Sequence, residues 1–305
     1  DCLLSRGLGD VYKRQSMNKY LLREIKGHVN MATSLHIFVV TTRCNMGCVY
    51  CQANNGSEMP HLVMDKEMAE KAVDIALQSP EQSLCFEFQG GEPLINFDII
   101  KHIVEYTELH KLEHIISYTV VTNLTLLNDE ILDFLACHNF GISTSIDGNE
   151  LVHNNNRPYI DGRGTYEKVV ESVGRIRASG LHVGAIETTT RYSLDYSKEI
   201  VNAYVDMGFD SIFIRPLTPL GKAAKYWNEI GYTTEEFIEF YGRSLDELLV
   251  INKNGRFIKE DHATILLRRI RGDFMNYMEL RSPCGAGVGQ LAYYADGNIC
   301  LLYTS

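Results

Sequence analysis

No apolar run in the sequence approaches the roughly 18 residues that a membrane-spanning helix requires, and no membrane association is expected. Basic residues are not in excess either. The 29 Lys and Arg stand against 39 Asp and Glu, a net charge of −10, so the electrostatic footprint of a nucleic-acid binder is missing. No signal peptide, internal repeat or low-complexity tract is apparent, and the cytosol is the expected compartment. Nor do the eight cysteines form the even framework of a disulfide-stapled secreted domain. What remains is 45% hydrophobic and 22% charged, an ordinary globular composition.

Three of the cysteines are not scattered. Cys44, Cys48 and Cys51 fall within eight residues, spaced Cx3CxxC, directly after the β-rich run His36–Thr42. Three thiols are one too few for a closed tetrahedral zinc site or a fully protein-ligated cluster. A zinc knuckle would need a fourth ligand, for which His61 is the sole nearby candidate. The trio suits a [4Fe–4S] cluster whose fourth iron is left open for an exogenous ligand, and an open metal site implies chemistry. Tyr50, between the last two cysteines, reads either as a packing aromatic or as a ring set against an adenine.

Both ends of the chain are expected to be foreign. Asp10-Val-Tyr-Lys-Arg-Gln15 is what GATGTGTATAAGAGACAG encodes, the transposon end used in sequencing libraries. One frame of its reverse complement gives Cys300-Leu-Leu-Tyr-Thr-Ser305. Residues 1–15 and 300–305 are therefore read as translated adapter, with the natural start at Met17 and the natural C-terminus missing.

Between these ends, short β-like runs alternate with amphipathic stretches. Strands are expected at Ile37–Thr41, Leu84–Phe88, Ser117–Thr122, Gly141–Ile146, His182–Thr188 and Ser211–Arg215. Helices are expected at about 65–78, 97–110, 128–138, 165–178, 196–207 and 233–252, with Asp65, Asn128 and Thr165 as N-caps. Six β/α units predict an α/β fold with a parallel sheet. Six is short of a closed barrel, so a partial (β/α)6 TIM-like barrel over residues 35–258 is expected, after an N-terminal extension at 16–34. An open doubly wound sheet is the alternative. Ligands belong at the carboxyl ends of the strands in either case. The motifs obey that rule: the cysteines follow the first strand, Gln89-Gly-Gly-Glu-Pro93 the second, Thr122-Asn123 ends the third and Ser145-Ile-Asp-Gly148 the fourth. After about residue 259 the alternation stops. A helix near 260–271 is expected to lead into a second unit, with a boundary near 255–280.

Cx3CxxC on the first strand-loop, with Gly-Gly-Glu-Pro after the second, resembles the radical S-adenosylmethionine (SAM) superfamily. That resemblance implies that Cys44, Cys48 and Cys51 bind [4Fe–4S] and that Gly90, Gly91 and Glu92 hold the SAM amino group. A glycine pair lets backbone approach a ligand closely, and a carboxylate accepts charge-assisted bonds from an ammonium. Ser145 matches a serine that contacts SAM in the peptide-modifying branch, although a strand-end turn would also explain it. Asn123 is a further cofactor candidate, against the ordinary preference of Asn for turns. Gln89 is expected to face substrate. His153 and Arg157 resemble a His/Arg pair of such maturases, and Arg215 has similar status. Cys85 and Cys137 are read as inert buried thiols.

Cys284-Gly-Ala-Gly followed by Tyr293-Tyr-Ala-Asp-Gly297 resembles the opening of a SPASM extension, which carries auxiliary iron–sulfur clusters. Residues 259–299 are therefore expected to be a linker helix and the truncated start of that domain. Its second cysteine would fall at position 302, within the adapter, so Cys300 does not fit the pattern. Gln-Gly-Gly-Glu-Pro-Leu-Ile-Asn-Phe, Thr-Asn-Leu-Thr-Leu-Leu, Ser-Thr-Ser-Ile-Asp-Gly and Asn-Arg-Pro together resemble the His-Xaa-Ser system maturases, which act on ribosomally made peptides.

The resemblance implies reductive cleavage of SAM to a 5′-deoxyadenosyl radical, which removes hydrogen from a residue of a precursor peptide to give a cross-link or related modification. The cofactors implied are one [4Fe–4S] cluster, SAM and auxiliary [4Fe–4S] clusters in the intact protein. The partners implied are the precursor peptide, a flavodoxin- or ferredoxin-type electron donor and a separate leader-binding or partner maturase protein. An anaerobic sulfatase-maturating (formylglycine-forming) enzyme shares these features. An iron–sulfur electron carrier without turnover is the alternative of another class.

Overall fold

The computed structural model describes residues 32–53, 61–272, 287 and 289–300. Strands β1 (Leu35–Thr41), β2 (Ser83–Gly90), β3 (Ile115–Val121), β4 (Gly141–Ser145), β5 (Val183–Thr188) and β6 (Ser211–Arg215) form the body of the sheet. Between and after them lie helices α1 (Lys66–Ala76), α2 (Phe97–His110), α3 (Asp129–Cys137), α4 (Glu150–Asn156), α5 (Tyr166–Ala178) and α6 (Ser197–Asp206). Two short helices, α7 (Lys222–Lys225) and α8 (Trp227–Ile230), precede α9 (Thr234–Lys253). Strand β7 (Lys259–Glu260), α10 (Asp261–Ile270), β8 (Gln290–Tyr294) and β9 (Ile299–Cys300) complete the described chain.

The strand order is β7-β6-β5-β4-β3-β2-β1-β8-β9. Every neighbouring pair is parallel except the antiparallel β8–β9. The expected partial TIM-like α/β architecture is present, and the sheet does not close on itself. It is wider than the six strands anticipated. β7 extends the β6 edge with two residues, too few to carry a hydrophobic pattern of their own. β8 joins the other edge, pairing Gln290 through Tyr294 with Leu35 through Val39. Residues 290–299, expected to belong to the start of a separate extension, thus add to the barrel sheet. Cys300, expected to be adapter, pairs opposite Ala292. Residues 1–31 and Cys284 lie outside the described residues.

Strand parity separates two environments. Phe38, Val40, Phe86, Phe88, Val120, Ile142, Ile212 and Ile214 face the helices and pack on Val73, Ile100, Ile103, Leu135, Ile176 and Ile200 in one core. Each such buried side chain contributes about 1.5–3 kcal/mol. The alternate residues of β2 to β5 line the inner face and are mostly small or polar: Cys85, Glu87, Gln89, Thr119, Ser143, Ser145 and Thr188. Cys85 is therefore half-buried on that face, and Cys137, in the last turn of α3, is exposed. The expectation that both thiols are buried fails: the parity of β2 puts Cys85 with Gln89, not with Phe86, and Cys137 lies on an exposed position of α3.

Helix ends follow local chemistry. Asp65 and Asn128 accept from the backbone N–H of Met68 and Ile131, both at 2.8 Å, capping orphan donors of the first turn. Thr165 occupies the cap position of α5 without capping it. Its hydroxyl donates instead to the Arg157 carbonyl at 2.6 Å, a contact between loops that no local pattern discloses. Helix α4 is not among the expected helices; its cap, Asn149, accepts from Val152 N–H at 3.1 Å.

Candidate functional site

The loop after β1 is held by the backbone of the segment that ends α4. Gly47 N–H donates to the Pro158 carbonyl at 2.8 Å and Val49 N–H to that of Asn156 at 2.9 Å, with a further antiparallel bridge between Met46 and Tyr159. The cysteine loop is thereby stitched to the segment that leaves α4. Cys44, Cys48 and Cys51 all line one cavity of about 240 Å3, together with Gln89, Gly90, Gly91, Glu92, Asn123, Ser145, Arg157 and Arg215. The site residues expected from the sequence meet there at the carboxyl ends of the strands, apart from Cys284, which lies outside the described residues, and His153, which is buried behind the cavity.

The glycines answer to the chain's own backbone. Gly91 N–H donates to the Thr41 carbonyl at 2.9 Å and Glu92 N–H to that of Arg43 at 2.8 Å. A Cβ on Gly90 would lie 2.4 Å from the Thr41 oxygen, and one on Gly91 2.4 Å from the Arg43 oxygen. No side chain fits between the ends of β1 and β2, so the pair sets the turn beside Cys44 before any ligand is considered.

Glu92, 1% exposed, is a brace. Its carboxylate accepts from Thr122 Oγ1 at 2.6 Å, Leu94 N–H at 3.0 Å and Asn123 N–H at 2.7 Å. Burial raises its pKa, and these three donors oppose the rise. A carboxylate has about four lone-pair sites, so one acceptor position is left for an ammonium. Asn123 completes the wall: its Nδ2 donates to Asn45 Oδ1 at 2.9 Å and reaches the Cys44 sulfur at 4.0 Å.

Tyr50 is buried, and its hydroxyl sits at the centre of a charged network. It donates to Asp147, with both carboxylate oxygens within 3.0 Å, and accepts from Arg157 Nη1 at 2.7 Å. Burial pushes the Asp147 carboxyl up to about 6 against the pull of Arg157. Arg157 stays cationic, its charge favoured by Cys48, Tyr50 and Asp147 against burial. Its Nε finds no partner among the described residues. His153, fully buried, is a strut for this network. Its Nδ1 accepts from Asp147 N–H at 3.4 Å and its Nε2 meets Thr165 Oγ1 at 3.1 Å. Since the Thr165 hydroxyl donates elsewhere, the proton of His153 is on Nε2. Burial lowers its pKa to about 3.

Gln89 leans on its own strand, its Nε2 donating to Glu87 Oε1, and lines the cavity. Arg215 lies with its guanidinium 5.8 Å from the Phe213 ring. Asp147, Asn45 and Lys222 were missed as site residues. Asp147 was visible inside Ser-Ile-Asp-Gly, whereas nothing near Lys222 in the sequence marks it.

The thiols carry the metal question. Burial pushes the Cys44 thiol up to about 12 and raises Cys48 as well, so both are protonated until a cation binds and displaces their protons. Among the described residues no three His, Cys, Asp or Glu side chains converge as ligands of one ion. Thiols spread around a cavity fit the separate corners of a polynuclear cluster, and the donor set is the soft one that iron–sulfur clusters take. The buried, partly unpartnered guanidinium of Arg157 suits a carboxylate in the same cavity.

The Radical SAM superfamily model matches residues 38–194. An uncharacterised protein of Methanocaldococcus jannaschii is 32% identical over 186 residues, 61% of this chain and 63% of that protein. The serine-type anaerobic sulfatase-maturating enzyme of Bacteroides thetaiotaomicron is 27% identical over 61% of this chain and 47% of its own length. The chain thus spans about half to two thirds of those relatives. Among solved structures, anSMEcpe with bound AdoMet superposes with a TM-score of 0.77 at 21% identity, over 90% of this chain and 75% of that one. The same protein has also been solved with AdoMet and a peptide. At that identity the likeness is one of fold. No helix among the described residues is long and apolar enough to cross a membrane.

Proposed function

The chain belongs to the Radical SAM superfamily, whose members use a [4Fe–4S] cluster and SAM, and we propose that it modifies a residue of a ribosomally made peptide. The observation that carries this reading is the meeting of Cys44, Cys48 and Cys51 with Gly90, Gly91, Glu92 and Arg157 around one cavity at the strand ends. Cluster and SAM together supply one-electron chemistry: cleavage of the S–C5′ bond and removal of a hydrogen atom from substrate.

The chain's own residues bind and orient. The three cysteines hold the cluster. Gly90 and Gly91 present backbone, and the remaining acceptor site of Glu92 takes the SAM ammonium. Arg157, anchored through Nη1 to Tyr50, would pair its guanidinium with the SAM carboxylate, and Ser145 lines the same cavity. Asn123 completes the wall next to Cys44, and Tyr50 anchors the turn between the last two cysteines. Gln89 and Arg215 face the substrate side, and the open inner sheet gives an extended peptide room to lie along β2 to β5. Cys284 contributes to an auxiliary cluster, an electron donor of flavodoxin or ferredoxin type reduces the system, and a partner protein binds the leader.

Anaerobically reconstituted protein, given SAM and dithionite, is expected to release 5′-deoxyadenosine. None at all would favour an electron carrier instead. The second reading, formylglycine formation on a sulfatase, is favoured by the sulfatase-maturating relatives. Mass spectrometry of a precursor peptide and of a sulfatase-derived Cys or Ser peptide, each incubated with the enzyme, decides between them.

A further inference from the structure

We infer, on the reading that Cys44, Cys48 and Cys51 hold an iron–sulfur cluster, that Lys222 is a positioning residue which clamps the Cys48–Cys51 turn and sets the cluster's reduction potential through its charge. The segment after β6 reaches across the molecule to do this. Lys222 N–H donates to the Cys51 carbonyl at 2.9 Å, and its Nζ donates to the Cys48 carbonyl at 3.4 Å. One residue therefore holds the carbonyls at both ends of the turn that carries Val49 and Tyr50.

Three features show that the approach is built in. Gly221 has φ +56°, the left-handed region, and a Cβ there would lie 2.4 Å from the Cys51 oxygen and 2.6 Å from that of Gln52. Only glycine allows the contact. Tyr50 packs with Leu217, Ala223 and Tyr232 in a buried apolar cluster that also engages Val49, Trp227 and Phe237. Tyr232 in turn accepts from Leu217 N–H at 2.6 Å, fixing the strand-end from which the clamp projects.

Charge gives the clamp a second consequence. Three thiolate ligands make the cluster anionic, and each added electron makes it more so. A fixed ammonium on the carbonyl of one ligand stabilises the reduced state. Arg157 is already engaged by Tyr50 and Asp147, so Lys222 supplies an independent positive charge.

The test uses the full chain, reconstituted anaerobically without SAM, with iron per chain and an EPR-monitored redox titration as readouts. Lys222→Gln keeps a donor for the Cys48 carbonyl but removes the charge. It is expected to retain iron while its midpoint moves to more negative potential. Lys222→Arg is expected to restore the wild-type midpoint. An unchanged midpoint in Lys222→Gln, or an equal shift in both variants, overturns the assignment. Should Lys222→Gln bind no iron, Lys222→Arg decides: equal loss of iron there also overturns it. A wild-type protein that forms no cluster removes the underlying assignment of the three cysteines, an outcome seen without any variant.

Discussion

Glu92 accepts the backbone N–H of Asn123 at 2.7 Å, a bond that ties the turn after β2 to the segment just past β3, both residues lining the cysteine cavity. With Thr122 and Leu94 as further donors, the carboxylate is engaged by the fold itself. Glu92→Gln would put an amide N–H2 against one of these donors. A buried group left facing a like partner costs about 1–3 kcal/mol. Denaturant titration of the iron-free variant is expected to show a loss of that size. An unchanged midpoint in denaturant would mean that the brace is unimportant and that Glu92 serves only a ligand.

Two glycines that look alike in the sequence differ in what surrounds them. Gly91→Ala forces a Cβ to within 2.4 Å of the Arg43 oxygen, an overpacking expected to cost about 1–3 kcal/mol. Gly174, inside α5, lies in open space: a Cβ added there would meet nothing within 4 Å. Gly174→Ala is expected to stabilise by about 0.5–1 kcal/mol. Thermal unfolding of both variants should move in opposite directions, and movement in the same direction would contradict the geometry.

Alanine at Cys44, Cys48 or Cys51 is expected to abolish cluster assembly, read as iron and sulfide per chain after anaerobic reconstitution. Cys85→Ala and Cys137→Ala are expected to retain wild-type iron, since neither lines the cavity. Full iron in any one of the first three variants would remove that residue from the ligand set.

Much of this site was legible because it is assembled from short motifs at strand ends. Cx3CxxC and Gly-Gly-Glu-Pro each sit within a few residues, and the alternation that surrounds them fixes which ends of the strands they share. The strands and long helices agree with expectation to within two or three residues, as at Ser211–Arg215 and Phe97–His110. Lys222 was invisible because its partner lies 174 positions away. Cys85 was misjudged because a strand of mixed apolar and polar residues does not announce which face is the core. Thr165 was expected to cap α5, but a carbonyl from another loop competes for its hydroxyl.

His153 links the network beneath the cavity to pH. Its pKa falls from 6.5 to about 3 because burial disfavours the cation, with Arg157 adding repulsion. The folded state therefore binds fewer protons at this group than the unfolded state does. Its contribution to stability is complete above pH 6.5 and is lost as the pH falls from there toward 3. Asp147, raised from 3.8 to about 6 by burial, acts in the opposite direction, since its folded form keeps a proton that the unfolded form has lost. Total stability mixes these slopes, but comparison with His153→Gln cancels groups that both proteins share. The wild type's advantage over the variant is expected to shrink by about 1.4 kcal/mol per pH unit below 6.5, measured by denaturant unfolding at successive pH values. A gap that stays constant from pH 7.5 to 4.5 would show that His153 protonates freely in the fold, which its bonds to Asp147 and Thr165 forbid.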